Sequence, residues 1–349
     1  MVRTRTGWLV AVAALGLGVG ACKKNENKKA DEAKTTDTAS KDKGGGVATP
    51  SLPSVAAGDD LSLLPANSEM VLGLNFAQLQ QSALWKQFAP KLMEKMESGL
   101  AEFKAACGFD PMEAIKSVSM GLSGVGKDQP DGAIVIHGLD KAKSMACLDK
   151  AKAEAAKKGT EITVDGDVFM MKDKGGSSTA WTFVNNDTML GVVGPAATKD
   201  TLLAAAKGGS SLKNSQTFTE MYSKINTKES LWILVNGNAP FMAKAAQAGV
   251  KPKAVFGSVN VTDGLTVDLR IRLGSADEAT QLVNMMKGQT QSPQVKQMFD
   301  KLDVTSDGAD AKIAVAMSNA KLQQLIGMVG GMMGGMMGGA GGPGMGGTP

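Results

Sequence analysis

Short apolar segments alternate with helical ones between residues 58 and 326, and turn residues separate them. Glu69–Asn75 predicts a strand, and the polar and apolar spacing that follows predicts a helix to about Ala106. Asp110 and Pro111 predict a helix start, because Asp caps a helix and Pro fits its first position. The remaining elements of this part are an alternating strand through Val118, Met120 and Leu122, a buried strand over Gly132–Gly138, a helix over Lys141–Lys158, a hairpin over Val164–Val168, strands within Trp181–Val193 and a helix through Leu202 and Ala206.

The same order then recurs, beginning with Ser230–Asn236, which like Glu69–Asn75 ends in Asn ahead of a helical pattern. In the strand Leu265–Leu273 apolar residues alternate with charged ones, so one of its faces is expected in the core and the other in water. The other elements of this part are a strand over Ala254–Val261, a helix begun by the capping box of Ser275 and Glu278, a strand through Ile313, Val315 and Met317, and a closing helix over Lys321–Ile326.

This repeated order predicts an α+β fold in two similar halves, residues 58–228 and 229–326. Each half is expected to form a mostly antiparallel sheet with helices packed on one of its faces.

The first 21 residues have the pattern of a bacterial signal peptide. Two arginines precede an apolar run over Trp8–Ala21, which is shorter than the roughly 20 residues of a membrane-spanning helix. Val19–Cys22 resembles the lipobox of bacterial lipoproteins, which implies cleavage before Cys22 and lipidation of that residue. An uncleaved helix and an ordinary secretory signal remain the alternatives. Lys23 occupies the position where Asp would favour the inner membrane, so the outer membrane, facing the periplasm, is expected.

Two further segments have low-complexity composition. Residues 22–57 are polar and of mixed charge, and such a segment buries too little apolar surface to offset its ordering entropy. We interpret it as a disordered tether behind the lipidated Cys22. Residues 327–349 consist largely of Gly and Met and are likewise expected to be disordered.

Net charge argues against a nucleic-acid partner. The chain carries a formal charge of +4, but residues 58–349 contain 29 basic and 29 acidic side chains. The basic excess therefore lies in the leader and the tether. Binding to phosphates would require a basic face on the folded part.

Cys107 and Cys147 remain after Cys22 is assigned to lipidation. An even pair in an oxidising compartment predicts a disulfide, which would close a loop of about 40 residues and contribute roughly 4 kcal/mol in the chain-entropy treatment. Two buried free thiols, or a metal site that includes His137, are the alternatives. No CxxC spacing supports the metal site.

Other motifs indicate no catalytic chemistry. Gly121–Lys127 nearly matches a phosphate-binding loop, but Asp128 stands where Ser or Thr should bind magnesium and Pro130 blocks the following helix. A polar turn is the better interpretation. His137, the only histidine, lies in an apolar strand and is expected to be a hydrogen-bonded structural residue, and Tyr222 is also isolated. We expect no catalytic, cofactor-binding or metal residues, although carboxylates brought together by folding remain possible.

The Met-Met-Gly-Gly repeats at 332–339 raise one further hypothesis. Thioethers are soft ligands suited to Cu(I), but no His or Cys accompanies them. Low-complexity sequence is therefore the favoured interpretation.

The opening of the folded part completes the picture. Pro65 and Ala66, the strand residue Val71, Asn75 and the segment Ser82–Trp85 follow a lipobox leader and a charged tether. Together they resemble uncharacterised exported lipoproteins of the myxobacterial type, which are duplicated α/β proteins without an assigned activity. The resemblance implies an envelope lipoprotein anchored in the membrane through Cys22.

Three functions are consistent with these features. The leading one is a non-catalytic interaction or scaffold module that binds an envelope protein. The alternatives are a carrier for an apolar, lipid-like ligand and a hydrolase with an assembled carboxylate site. An apolar cavity between sheet and helices would favour the carrier, and clustered carboxylates with raised pKa in a cleft would favour the hydrolase.

Overall fold

The structure is a computed structural model that describes residues 59–125, 129–173, 176–243 and 249–327. Its central element is one antiparallel sheet of twelve strands in the order β11-β12-β10-β9-β8-β1-β2-β3-β7-β6-β5-β4. The strands are β1 Met70–Asn75, β2 Ser117–Ser123, β3 Asp131–His137, β4 Glu161–Asp165, β5 Val168–Lys172, β6 Ser178–Phe183, β7 Thr188–Val193, β8 Leu231–Asn236, β9 Ala254–Asn260, β10 Leu265–Arg272, β11 Lys301–Asp307 and β12 Asp310–Met317.

Helices connect and flank these strands. They are α1 Phe76–Gln81, α2 Ala83–Cys107, α3 Pro111–Ala114, α4 Lys141–Lys158, α5 Lys199–Ala206, α6 Gln216–Tyr222, α7 Ala276–Thr290, α8 Pro293–Met298 and α9, residues 319–327. Short 3₁₀ turns lie at Asp60–Ser62, Leu212–Asn214 and Pro240–Met242.

Local signals place several of these boundaries. The Asp110 carboxylate accepts the Met112 amide at 2.9 Å, and Pro111 begins α3 as predicted. The helix predicted after Asn75 is divided at Ser82, whose extended backbone ends α1 and whose hydroxyl accepts the Trp85 amide to cap α2. Gly159 ends α4 in the left-handed conformation that favours glycine.

The α+β class is confirmed, but the expected separate sheet in each half is wrong. β1 and β8 pair antiparallel, with Met70 opposite Val235 and Leu74 opposite Leu231, and this pairing joins all the strands into one sheet. Both hydrogen-bonding edges of β1 are used, because it pairs with β2 on one side and with β8 on the other.

The expectation that helices pack on one face is also wrong for the first part of the chain. Along β3, Ile134 and Ile136 belong to a cluster that includes residues of α1, α2 and α4, and this side of the sheet is called face A. Ala133 and Val135 point to the opposite side, face B, where they share a cluster with residues of α5 and α6. A strand with two buried faces needs helices on both.

A disulfide-bonded pair fastens two helices over face A. Cys107 at the end of α2 and Cys147 in α4 are bonded, with their Cα atoms 4.7 Å apart. This is the pair predicted from the cysteine count.

Candidate functional site

The described residues of the near match to a phosphate-binding loop lie in or next to the sheet rather than in a binding site. Cys22 and the Met-rich tail fall outside the described residues, as does Lys127. Gly121 lies within β2 opposite Ala133, and a Cβ atom there would be 2.6 Å from the Ser68 hydroxyl oxygen. β3 follows this segment, whereas a phosphate-binding loop would lead into a helix.

His137 is hydrogen-bonded through both ring nitrogens at the end of β3. Its Nε2 lies 2.8 Å from Asp60 Oδ1, and its Nδ1 lies 3.1 Å from the Thr188 hydroxyl oxygen. That hydroxyl donates to Asp187 Oδ1 at 3.0 Å. The carboxylate of Asp60 only accepts, so Nε2 donates to it, and with the Thr188 hydroxyl donating to Asp187 the Nδ1 donates to that hydroxyl. The arrangement therefore fits an imidazolium.

The electrostatics of this cluster agree with that protonation state. The hydrogen bond to Asp60 raises the pKa of His137 above its usual value; burial opposes the rise, and the negative charges of Asp60 and Asp187 add to it. Acid, histidine and hydroxyl stand in the order of a catalytic triad, but Thr188 is only 2 % exposed. A nucleophilic hydroxyl must be open to substrate, so the cluster fits the structural role expected for His137.

A second charged cluster was not predicted from the sequence. The Asp310 side chain is 1 % exposed and forms ion pairs with Arg272 on β10 and with Lys224. The Nζ atom of Lys224 lies 3.1 Å from Oδ2 of Asp310. Arg272 also donates to Glu220 at 3.2 Å and lies over the Phe256 ring, 5.8 Å from its centroid. The cluster joins α6 to the neighbouring strands β10 and β12.

The carboxyl pKa values do not match those of a general acid. Burial raises the pKa of Asp310, but the hydrogen bonds from Arg272 and Lys224 outweigh this effect and hold it below the usual value. Lys321 lowers the pKa of Asp300, and Arg270 lowers that of Asp307. A hydrolytic acid needs a raised pKa.

A cleft of about 340 Å³ lies where the segment 62–67 approaches α5. Asp131 is the acid in its wall, and its Oδ1 already accepts the Ala196 amide at 3.0 Å. Within the described part of the chain no group of three or more His, Cys, Asp or Glu is placed to hold a metal ion. No helix in those residues is both long and apolar enough to cross a bilayer.

Face A carries a broad apolar surface at the centre of the sheet, which we call the apolar rows. The strand register places apolar residues side by side across β2, β1, β8, β9, β10, β12 and β11. The central row consists of Met120, Leu72, Ile233, Gly257, Leu269, Ile313 and Val304. The rows beside it consist of Val118, Leu74, Leu231, Val259, Val267, Val315 and Leu302, and of Leu122, Met70, Val235, Val255, Ile271 and Ala311.

On β1, β8 and β9 these rows are less buried than the other side of the same strands. On face B, Val71, Leu234 and Phe256 are each 0 % exposed. On face A the neighbouring Leu72 and Ile233 are only half-buried. The centre of face A is therefore an apolar surface that the described helices cover incompletely.

Two helices border this surface. α1 packs on β1 and β2, and α7 packs on β11 and β12, so β8, β9 and β10 lie between them. Five strand spacings of about 4.8 Å separate the helix axes by roughly 24 Å, and subtracting a helix diameter leaves about 12 Å. The rows thus form the floor of a trough about as wide as one helix. α9 crosses one end of this trough, because it follows β12 and its Gln323 side chain donates to Gln87 on α2.

Gly257 brings the backbones of β9 and β10 close together in the middle of the central row. A Cβ atom there would lie 2.1 Å from the carbonyl oxygen of Asp268. Backbone atoms of β10 already fill the space that a side chain would need, so only glycine fits at this position. In the sequence, the alternation of Val267, Leu269 and Ile271 predicts an apolar face on β10. The sequence does not show that this face continues across the sheet to Leu72 and Ile233, which follows from the strand register.

Comparison with known protein families, curated proteins and solved structures finds no match. The geometry of the chain itself must therefore support any functional proposal.

Proposed function

We propose that this protein is a non-catalytic interaction module of the cell envelope, anchored in the outer membrane through lipidated Cys22 and facing the periplasm. The apolar rows of face A are its binding surface, and the incomplete burial of residues such as Leu72 and Ile233 is the observation that carries the proposal. A contiguous apolar surface on a soluble domain is typical of interaction sites. The lipobox-like Val19–Cys22 and the opening Pro65–Trp85 support membership among exported lipoproteins of the myxobacterial type.

Strand order supports the finer proposal that the chain arose by duplication. In the first half, β1, β2 and β3 lie side by side in chain order, and α4 follows them. The next strands, β4 to β7, extend the sheet so that the last of them, β7, lies beside β3. β8, β9 and β10 repeat this arrangement, with α7 following and β12 ending beside β10. In this proposal the two similar halves share one sheet.

The anchoring is tested in the native host with the wild-type chain and Cys22→Ser. We expect metabolic palmitate label and membrane fractionation for the wild type, and neither for the variant. The apolar signal segment Trp8–Ala21 is unchanged in both, so export itself is controlled. An unlabelled wild-type chain recovered from the cytosol would contradict the proposal.

A carrier of an apolar, lipid-like ligand is the second candidate, and the trough between α1 and α7 favours it. Its width of about 12 Å suits one or two extended hydrocarbon chains. Native mass spectrometry of protein extracted from its own membrane tests this function. A retained lipid released on activation would support a carrier, whereas a retained polypeptide would support the interaction module.

Two observations weigh against the hydrolase. The carboxyl groups of Asp300, Asp307 and Asp310 have lowered rather than raised pKa values. The His137 cluster has a hydroxyl that is closed to substrate.

A further inference from the structure

We propose that the edge strand β11 is a dimerisation surface, at which two copies of this chain pair antiparallel around Val304 and continue one sheet through both molecules. β11 stands at one end of the described sheet, and β12 is its neighbour there. A free strand edge offers unpaired N–H and C=O groups to another extended chain. The proposal goes beyond the binding surface on face A and does not depend on it.

The hydrogen-bonding register fixes which residues of β11 face the free edge. The Leu273 amide donates to the Ala309 carbonyl at 2.9 Å, so the odd-numbered residues of β12 bond to β10 and the even-numbered ones bond to β11. The residues of β11 opposite those even-numbered ones are Lys301, Asp303, Thr305 and Asp307. Because backbone groups of successive residues alternate between the two edges of a strand, the groups that point away from β12 are those of Leu302, Val304 and Ser306.

The described residues leave this edge open. Thr305 and Ser306 are exposed, and the side chains of Lys301 and Asp307 are 63 % and 61 % exposed. α7 packs on face A of the strand, where Val304 is 5 % exposed. A second strand can therefore approach in the plane of the sheet.

Side-chain charges select one register for two copies of β11. When Val304 lies opposite Val304 of the second copy, all seven residues of the strand pair, and each Lys301 lies opposite Asp307 of the other copy. Opposite charges directly across a strand pair are stabilising, and like charges are destabilising. A shift of the centre to Asp303 would place two aspartates opposite each other. A shift to Thr305 would place Asp303 opposite Asp307. The pairing centred on Val304 avoids both and forms about six backbone hydrogen bonds.

The helices on face A leave room for this pairing. Residues directly opposite each other have side chains on the same face, so face A of both copies lies on the same side of the joined sheet. α7 packs on both β11 and β12, which places its axis about half a strand spacing inside the edge strand. The two α7 helices are then separated by roughly 10 Å across the twofold axis, which is the distance at which helices pack.

The opposite edge of the sheet lacks this complementarity. β4 stands at that end of the described sheet, and by the same alternation its backbone groups at Ile162 and Val164 face outwards. Antiparallel pairing of two copies of β4 would place Glu161 opposite Asp165, and both are acidic. Like charges therefore oppose self-association of β4. Pairing through β11 alone is symmetric and closes at two copies.

Sedimentation velocity of the full mature chain in its soluble Cys22→Ser form tests the association. We expect a reversible dimer whose fraction grows with protein concentration. Ser306→Pro removes one outward N–H group and places a ring on the free edge, so it should abolish the dimer. Val164→Pro is the matched control, because it makes the same change at the same distance from the turn of the β4–β5 hairpin. It should leave the dimer unchanged, and far-UV circular dichroism checks that both variants fold.

Charge reversal tests the register without a proline. Lys301→Glu and Asp307→Lys should each weaken dimerisation about tenfold, because each homodimer then contains two like-charged pairs across the twofold axis. When the two variants are mixed in equal amounts, they should form a heterodimer, since opposite charges face each other again at both positions. Mixing would not restore a dimer that was weakened only by loss of the Asp307–Arg270 ion pair within one chain.

Each contrary outcome overturns the proposal. A chain that stays monomeric at about 1 mM would exclude the dimer. A dimer that Ser306→Pro leaves intact, or that Val164→Pro abolishes equally, would place the contact elsewhere. Mixed charge variants that fail to associate would overturn the register, and they decide the matter if Ser306→Pro does not fold. None of these results alters the proposed role of the apolar rows.

Discussion

Substitution of Asp310 should destabilise the protein far more than substitution of an exposed aspartate. Its carboxylate is almost completely buried and accepts from Arg272 and from Lys224. Asp310→Asn keeps the shape but removes the charge, so the guanidinium of Arg272 loses its buried counter-ion. Glu220, at 3.2 Å from Arg272, is more than half exposed and replaces the lost charge only in part.

The size of the effect follows from burial. Removing one partner of a buried ion pair costs about 3–5 kcal/mol, because the other charge stays buried and uncompensated. Lys301 and Asp303 form the matched control, since their side chains are 63 % and 54 % exposed. Exposed pairs contribute about 0–1 kcal/mol, so Asp303→Asn should change little.

Urea unfolding followed by tryptophan fluorescence measures both variants in the Cys22→Ser background. With an m-value near 3 kcal/mol/M, Asp310→Asn should lower the midpoint by about 1–1.7 M. In a double-mutant cycle, Asp310→Asn combined with Arg272→Met should cost less than the two single changes together. If Asp310→Asn lost no more than Asp303→Asn, the assignment of this cluster as a stabilising clamp would be refuted.

The Asp310–Arg272 pair also predicts the direction in which stability changes at acid pH. The pKa of Asp310 is lowered in the folded protein, so its stabilisation is fully present above the unfolded value near 3.9 and is lost as the pH falls through the lowered value. Stability of the wild type should therefore fall below about pH 4 more steeply than that of Asp310→Asn. Parallel curves for the two chains would contradict this assignment.

Three other variants test separate parts of the fold. The pKa of His137 is raised in the folded protein, so its contribution to stability is present below about pH 6.5 and is lost as the pH rises through the folded value. The melting temperature of His137→Gln should therefore vary less with pH across that range than the melting temperature of the wild type. The same dependence of melting temperature on pH in both chains would contradict this expectation. Replacing both Cys107 and Cys147 with Ser should lower the free energy of unfolding by roughly 4 kcal/mol. Each single replacement should lower it by the same amount, because either one removes the bond. An unchanged free energy of unfolding would show that the disulfide constrains the unfolded chain little. Gly73→Ala should lower stability by about 1–3 kcal/mol, because the added Cβ atom would lie 2.1 Å from the indole nitrogen of Trp232. Gly288→Ala in α7 is the control; its Cβ atom meets no atom within 4 Å, so this change should be neutral or stabilising. Equal urea midpoints for the two variants would contradict the packing of Trp232 against Gly73.

Local signals in the sequence predicted individual elements well. The helix over Lys141–Lys158 was placed at the residues where α4 lies, and the strand over Gly132–Gly138 is displaced by one residue from β3. Such elements are specified by their own caps and periodicity. β11 was missed because its charged, mostly exposed residues, such as Lys301 and Asp303, lack the apolar alternation of an interior strand.

Long-range pairing could not be derived in the same way. Met70 and Val235 are opposite each other, yet no local pattern connects residues so far apart in sequence. The predicted two sheets failed at that point, and the apolar rows depend on it. The cluster at Asp310 was hidden for the same reason, since its partner Arg272 is opposite it only through the β10–β12 register.

The pairing of β1 with β8 also affects how the chain must mature. As the polypeptide is synthesised, β1 can find β2 early, but its other edge stays open until residues 231–236 emerge. The cluster on face B includes Trp232 and Phe256 together with Leu190 and Leu202, so the earlier part of the chain cannot complete its interior alone. Contacts of such sequence separation slow folding and prolong the exposure of unpaired strand edges. Nascent chains halted before β8 should consequently be prone to aggregation and dependent on chaperones.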